Sequence, residues 1–121
     1  MSAAIVVGVA LLGGAGAVGR FLFDGAVTAS VGRAFPYGTL AVNLTGALAL
    51  GLLHGAGVGT DALRLAGTGL LGAYTTFSTW TFESHRLGED GRFRYGAANL
   101  IVSLVLGVAF AWLGDRIGAR L

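Results

Sequence analysis

The sequence predicts an all-α integral membrane protein of four helices, and three observations carry that prediction. The 121 residues are 55% hydrophobic and only 12% charged, with a mean hydropathy of +0.77, which is not the make-up of a domain with a water-facing polar surface. Four stretches lack any formal charge: Met1 to Gly19, Ala34 to Thr60, Leu65 to Phe82 and Tyr95 to Gly114. Each is close to the roughly 20 residues that cross a hydrocarbon core of about 30 Å. The charged residues gather between these stretches, so the chain reads as one membrane domain over 1–121, with spans at 3–24, 36–58, 62–84 and 93–116. No length remains for a separate soluble catalytic domain.

The first span reads as a retained helix, because no Lys or Arg precedes it and it is longer than the core of a cleaved signal. Gly13, Gly14, Gly16 and Gly19 crowd it, and small residues let helix backbones approach one another in lipid. In the second span Thr39, Asn43, Ala47 and Gly51 recur at the spacing of one helix face, and Gly51, Gly55 and Gly59 repeat as a packing stripe. His54 is expected at the membrane interface.

The third span is interrupted by Thr75-Thr76-Phe77-Ser78-Thr79-Trp80. Hydroxyls at membrane depth need a protein partner or water, so this run suggests a lined cavity. Its hydroxyl and β-branched side chains also compete with helical backbone bonding just after Gly72. Sequence alone accommodates a break there and an intact helix equally. The fourth span places Tyr95, Asn99, Ser103 and Gly107 on one face. Amides in membrane helices commonly serve as packing glue, yet two polar stripes and a hydroxyl run together suit the passage of a small ion.

The inventory narrows the passenger. Asp24, Asp61, Glu83, Glu89, Asp90 and Asp115 all lie at span ends or in loops, so a proton-coupled cation carrier lacks its mid-membrane carboxylate. Asn, Ser, Thr and Tyr offer neutral donors and aromatic rings a partially positive edge, a surface for an anion without a fixed positive charge. Enzymatic readings fare poorly. His54 and His85 are isolated, no cysteine or GxxxxGK[ST] motif occurs, and Ser78 has no base near it in sequence. A pI near 9.7 reflects a net charge of only +2 from arginines at helix ends, which suits lipid headgroups and gives no sign of a nucleic-acid partner.

Orientation in the membrane follows the Lys/Arg bias between loops. Arg64, Arg116 and Arg120 fall on one side, and Arg33, Arg86, Arg92 and Arg94 on the other, with Arg20 near the end of the first helix. That balance leaves open both a single orientation and insertion in two orientations, the latter pointing to an antiparallel homodimer.

The chain resembles the Fluc (CrcB) family of dual-topology fluoride ion channels. The resemblance rests on four motifs in order: Gly13-Gly14-Ala15-Gly16-Ala17-Val18-Gly19-Arg20, Gly38-Thr39-Leu40-Ala41-Val42-Asn43-Leu44-Thr45-Gly46, Gly72-Ala73-Tyr74-Thr75-Thr76-Phe77-Ser78-Thr79-Trp80 followed by Glu83, and Tyr95-Asn99-Ser103-Gly107. It implies a third helix that is broken, an antiparallel homodimer, and two fluoride pathways that carry the ion passively out of a bacterial-type cell across its inner membrane. By the same resemblance Phe77, Trp80, Asn43, Ser103 and Asn99 line each pathway, Ser78 and Thr79 add hydroxyls, and Arg20 stands at the vestibule. A structural sodium ion (Na+) at the dimer interface is expected on the backbone carbonyls of Gly72 and Thr75. Trp80 departs from the phenylalanine usual there, and its bulk is expected to slow conduction without loss of selectivity. The alternative is a small four-helix dual-topology multidrug exporter, which needs a carboxylate in its first helix that Met1 to Gly19 lacks. A purely structural membrane protein would leave the hydroxyl and aromatic run without purpose.

Overall fold

The computed structural model describes all 121 residues as helices joined by short turns, without a strand. Helix α1 spans Ala3–Val31. Ser2 begins it, its hydroxyl accepting from the Ile5 N–H at 3.2 Å and so occupying one of the free amides of the first turn. The helix runs through Asp24 and stops at Gly32, whose φ of 86° is a conformation that side-chain-bearing residues rarely adopt. Its 29 residues make a rod of about 43 Å, so α1 continues past residue 24 and projects beyond the hydrocarbon. Asp24 does not end it, because the carboxylate accepts from Thr28 Oγ1 one turn later, at 3.3 Å, on the helix's own surface.

Helix α2, Tyr37–Gly55, starts directly after Pro36, where a missing N–H removes no helical bond. The third membrane segment comes in pieces. A turn of α3 (Thr60–Ala62) leads into a π-helical stretch, Leu63–Leu71, and a turn of α4 (Gly72–Tyr74). The chain then leaves helical geometry, with Thr75 extended at φ −80° and ψ 159°, and resumes as α5, Ser78–Glu89. Helix α6, Phe93–Gly118, completes the fold. Helices α1, α2 and α6 are each long and apolar enough to cross a membrane, and the third segment is the broken one. The break left open by the residues is therefore real. The π-helical stretch before it was not legible in them.

Glycine seams, rather than an apolar core, hold these helices together; Val42 and Leu87 are the buried apolar side chains. Between α2 and α6, Gly51 and Gly55 face the carbonyls of Ala111 and Asp115, while Gly114 and Gly118 face those of Leu48 and Leu52. A methyl group at any of the four would overlap a carbonyl oxygen, so two Gly-x-x-x-Gly pairs interlock. The sequence reading found Gly51 and Gly55 but not their partners. Its third member, Gly59, meets nothing within 4 Å and stands in the turn before α3, so the stripe is two residues and not three. In α1, Gly16 makes the closest approach, against the Leu70 carbonyl, whereas Gly14 meets nothing within 4 Å. His54, at the end of α2, lies 2.7 Å from the Asp115 carboxylate and ties α2 to α6. Large side chains such as Phe21, Phe77, Phe93 and Leu104 remain exposed on the protomer, a surface for hydrocarbon or another chain to cover.

Candidate functional site

The break is built by three sequence features acting in turn. The π-helical stretch hands its register to α4 through the Gly72 N–H, which donates to the Gly67 carbonyl five residues back. Thr75 then closes α4 twice, its N–H and its hydroxyl both donating to the Leu71 carbonyl, at 3.0 and 2.9 Å. Thr76 opens α5, its hydroxyl accepting from the Thr79 N–H at 3.1 Å as a capping residue does.

Asn43 of α2 holds the open chain between them. Its Nδ2 donates to the Thr76 carbonyl and its Oδ1 accepts from the Thr76 N–H, both at 2.8 Å. The side chain thus replaces the helical partners that the break removes. Beyond it, the carbonyls of Gly72 and Thr75 accept no hydrogen bond, and the N–H groups of Phe77 and Ser78 donate none. The break therefore exposes carbonyl oxygens at the end of α4 and amides at the start of α5, and the helix dipoles reinforce both polarities.

A groove of about 480 Å³ runs along this break between α2, the third segment and α6. Asn43, Gly72, Thr75, Phe77, Trp80 and Ser103 all line it, together with Thr76. Phe77 and Trp80 meet edge to face, with ring centroids 5.3 Å apart and planes at 72°, so ring edges as well as faces are presented. Apolar Leu50, Leu71, Leu104 and Val108 complete the wall, and no Asp or Glu joins it.

Other expected residues stand elsewhere. Asn99 is 1% exposed and lies behind the wall, donating to Ser84 Oγ at 2.8 Å and accepting from Ser103 Oγ at 3.3 Å. Its carbonyl accepts the Trp80 indole N–H at 3.0 Å. The polar stripe of the fourth helix is thus divided. Ser103 and Gly107 face the groove, Asn99 fastens α5 to α6, and Tyr95 packs against Phe35 and under the Arg92 guanidinium. Ser78 is exposed, 3.4 Å from the Thr76 hydroxyl. Thr79 and Arg20 line a separate hollow of about 180 Å³ with Asp24, Thr39 and Thr76, and the Arg20 Nε is buried there without a partner. Thr76 lines both spaces and so stands at their partition. Thr76 belongs to the hydroxyl run without an expected role of its own; a hydroxyl three residues before a backbone amide, at a helix restart, is the signal that marks it.

A family model described as CrcB-like protein, Camphor Resistance (CrcB), matches residues 7–115. The chain belongs to the CrcB family. Among its curated relatives, the fluoride-specific ion channel FluC 2 of Mycobacterium bovis is 55% identical over 117 residues, covering 97% of this chain and 93% of that protein. FluC 2 of Mycolicibacterium paratuberculosis is 54% identical over 94% of this chain and 93% of its own length. The fluoride-specific ion channel FluC of Syntrophotalea carbinolica is 45% identical over 93% and 96%. The four motifs quoted from the sequence all fall within or across the stretch matched by the CrcB model.

Proposed function

We propose that the protein is a fluoride-selective channel of a bacterial-type inner membrane, exporting fluoride passively and catalysing no reaction. The observation that carries this reading is the groove at the break, where Asn43, Ser103, Phe77 and Trp80 converge without a carboxylate. The FluC relatives give the ion its name.

Fluoride is strongly hydrated, so a pathway has to replace several water hydrogen bonds at once. One Asn43 N–H is committed to Thr76, and the carboxamide's second N–H is left for the anion. The Ser103 hydroxyl is held only by a long 3.3 Å bond to Asn99 and turns readily toward a negative charge. Phe77 and Trp80 add ring edges. The indole N–H is not among the donors, since the Asn99 carbonyl takes it. Arg20 gathers the anion by field rather than by contact, from the hollow on the other side of Thr76.

In this reading two protomers associate antiparallel, each pair making two pathways. The near-balanced arginines and the exposed Phe77, Leu104 and Val108 support that assembly. A sodium ion at the dimer centre would be held by the Gly72 and Thr75 carbonyls of each protomer. These oxygens lack hydrogen-bond partners and suit a hard cation that takes oxygen ligands. The multidrug-exporter reading is disfavoured because no acidic side chain lines the groove.

Efflux from fluoride-loaded liposomes, followed with a fluoride electrode, tests the proposal. Rapid fluoride release with potassium ionophore present, and no matching chloride release, is expected. Proton-coupled cation movement, or no flux, would overturn it.

A further inference from the structure

The C-terminal end of α6 carries a hollow apart from the groove and the Arg20 space. Trp112 is 58% exposed, and Arg116, one turn later, lays its guanidinium 5.4 Å from the indole centroid. Arg120 follows in the turn just past the end of α6, and with Leu113 and Ile117 these side chains line about 360 Å³.

Charge at this hollow is of one sign. No acidic residue lines it, and neither arginine belongs to an ion pair. Asp115, next in sequence to Arg116, is turned to α2 and engaged by His54. The other end of α6 makes the contrast. Arg92 stacks on Tyr95 at 4.6 Å, but it shares its hollow with Asp24, Glu83 and Asp90 as well as two further arginines.

Depth points to the ligand. The uncharged stretch from Tyr95 to Gly114 is about 30 Å of helix, the thickness of the hydrocarbon core. Trp112 therefore sits just inside the boundary and Arg116 and Arg120 just outside it, at the level of lipid phosphates. Guanidinium groups bind phosphate through paired N–H donors. Below them Trp112 and Leu113 continue as an apolar wall, with Ile117 beside the guanidiniums, a surface which an acyl chain uses and a free phosphate does not.

We propose that this hollow binds an anionic phospholipid, its headgroup phosphate on Arg116 and Arg120 and its chain along Trp112, Leu113 and Ile117. The site is independent of the anion pathway.

The chain has two tryptophans, so Trp80→Phe leaves Trp112 as the sole indole reporter. That variant is reconstituted in phosphatidylcholine vesicles containing either brominated phosphatidylglycerol or brominated phosphatidylcholine at equal mole fraction. Quenching is expected to favour phosphatidylglycerol roughly 25-fold as an exchange constant, at about fivefold for each of the two arginines. Adding R116Q and R120Q should bring the ratio near one, while R116K with R120K should keep most of it. Equal quenching by the two lipids, or a preference that survives R116Q/R120Q, overturns the assignment. Loss of preference in the lysine variant as well would assign the selectivity to the paired guanidinium donors rather than to charge alone. Release of the quenching by excess inorganic phosphate at fixed ionic strength would make the hollow a free-phosphate site instead.

Discussion

Asn43 pairs with both backbone groups of Thr76, as donor and as acceptor, each at 2.8 Å. A residue expected only to line a pathway therefore also fixes the shape of the break that forms it. Asn43→Ala leaves a half-buried N–H and carbonyl of Thr76 unpaired and should lower stability by about 1–3 kcal/mol. Asn43→Asp keeps the acceptor but loses the donor and brings a negative charge to the anion path. Its fluoride efflux should fall at least roughly tenfold, a rise of about 1.4 kcal/mol in the barrier. Electrode-monitored efflux and detergent unfolding of both variants check the pair, and wild-type values in either assay would refute the double role.

Trp80 is held from two sides, by the edge of Phe77 and by the Asn99 carbonyl, which accepts its N–H. Trp80→Phe removes bulk from the groove together with one hydrogen bond. Efflux should rise while stability drops by about 1 kcal/mol. An equal or lower efflux rate would show that the indole does not narrow the path.

Chain pattern and structure agree where one physical rule dominates, and part company where partners decide. Charge-free length placed the helices of Asn43 and Ser103 in the membrane because hydrocarbon tolerates little else. Facing was harder. Asn99 and Ser103 share a helix face by spacing, yet Ser84 and Trp80 of α5 claim the first and leave the second to the groove. Gly114 and Gly118 were overlooked because Asp115 and Arg116 between them look like a helix terminus, although the helix continues through both. The Thr76 pairing was beyond reach for a different reason. Its partner lies 33 residues away, and no local pattern names it.

The interlocked glycines make a sharp contrast between positions. Gly114→Ala drives a methyl into the Leu48 carbonyl and should cost about 1–3 kcal/mol as overpacking. Gly25→Ala meets nothing within 4 Å in the middle of α1 and should be neutral or stabilising, since alanine favours helix over glycine by about 1 kcal/mol. Thermal unfolding in detergent compares the two, and similar midpoints would argue against the glycine seam as the main α2–α6 contact.

The absence of native cysteine makes topology directly measurable. Single cysteines at Ala34, Asp61 and Glu89 should each react with an impermeant maleimide from outside intact cells in one fraction of molecules and only after permeabilisation in the rest. Labelling of each position from a single face would rule out antiparallel insertion, whatever the fluoride assay shows.

The sodium site proposed on the unpaired carbonyls of Gly72 and Thr75 predicts a sodium-dependent stability. A cation that binds only the folded assembly adds about 1.4 kcal/mol for each tenfold rise in concentration above its dissociation constant. The unfolding midpoint should therefore climb with the logarithm of sodium concentration. Replacement by N-methylglucamine at equal ionic strength should abolish the climb, because so large a cation cannot enter a cage of four carbonyls. Potassium should stabilise less than sodium, its larger radius fitting the same oxygens poorly. Because the proposed ligands are backbone atoms, Thr75→Ser should keep the sodium response, retaining the hydroxyl that closes α4 on Leu71. Thr75→Pro removes the N–H that donates to the same Leu71 carbonyl and should lose the response along with the break's geometry. A midpoint indifferent to the identity of the monovalent cation would remove the sodium site while leaving the anion pathway untouched.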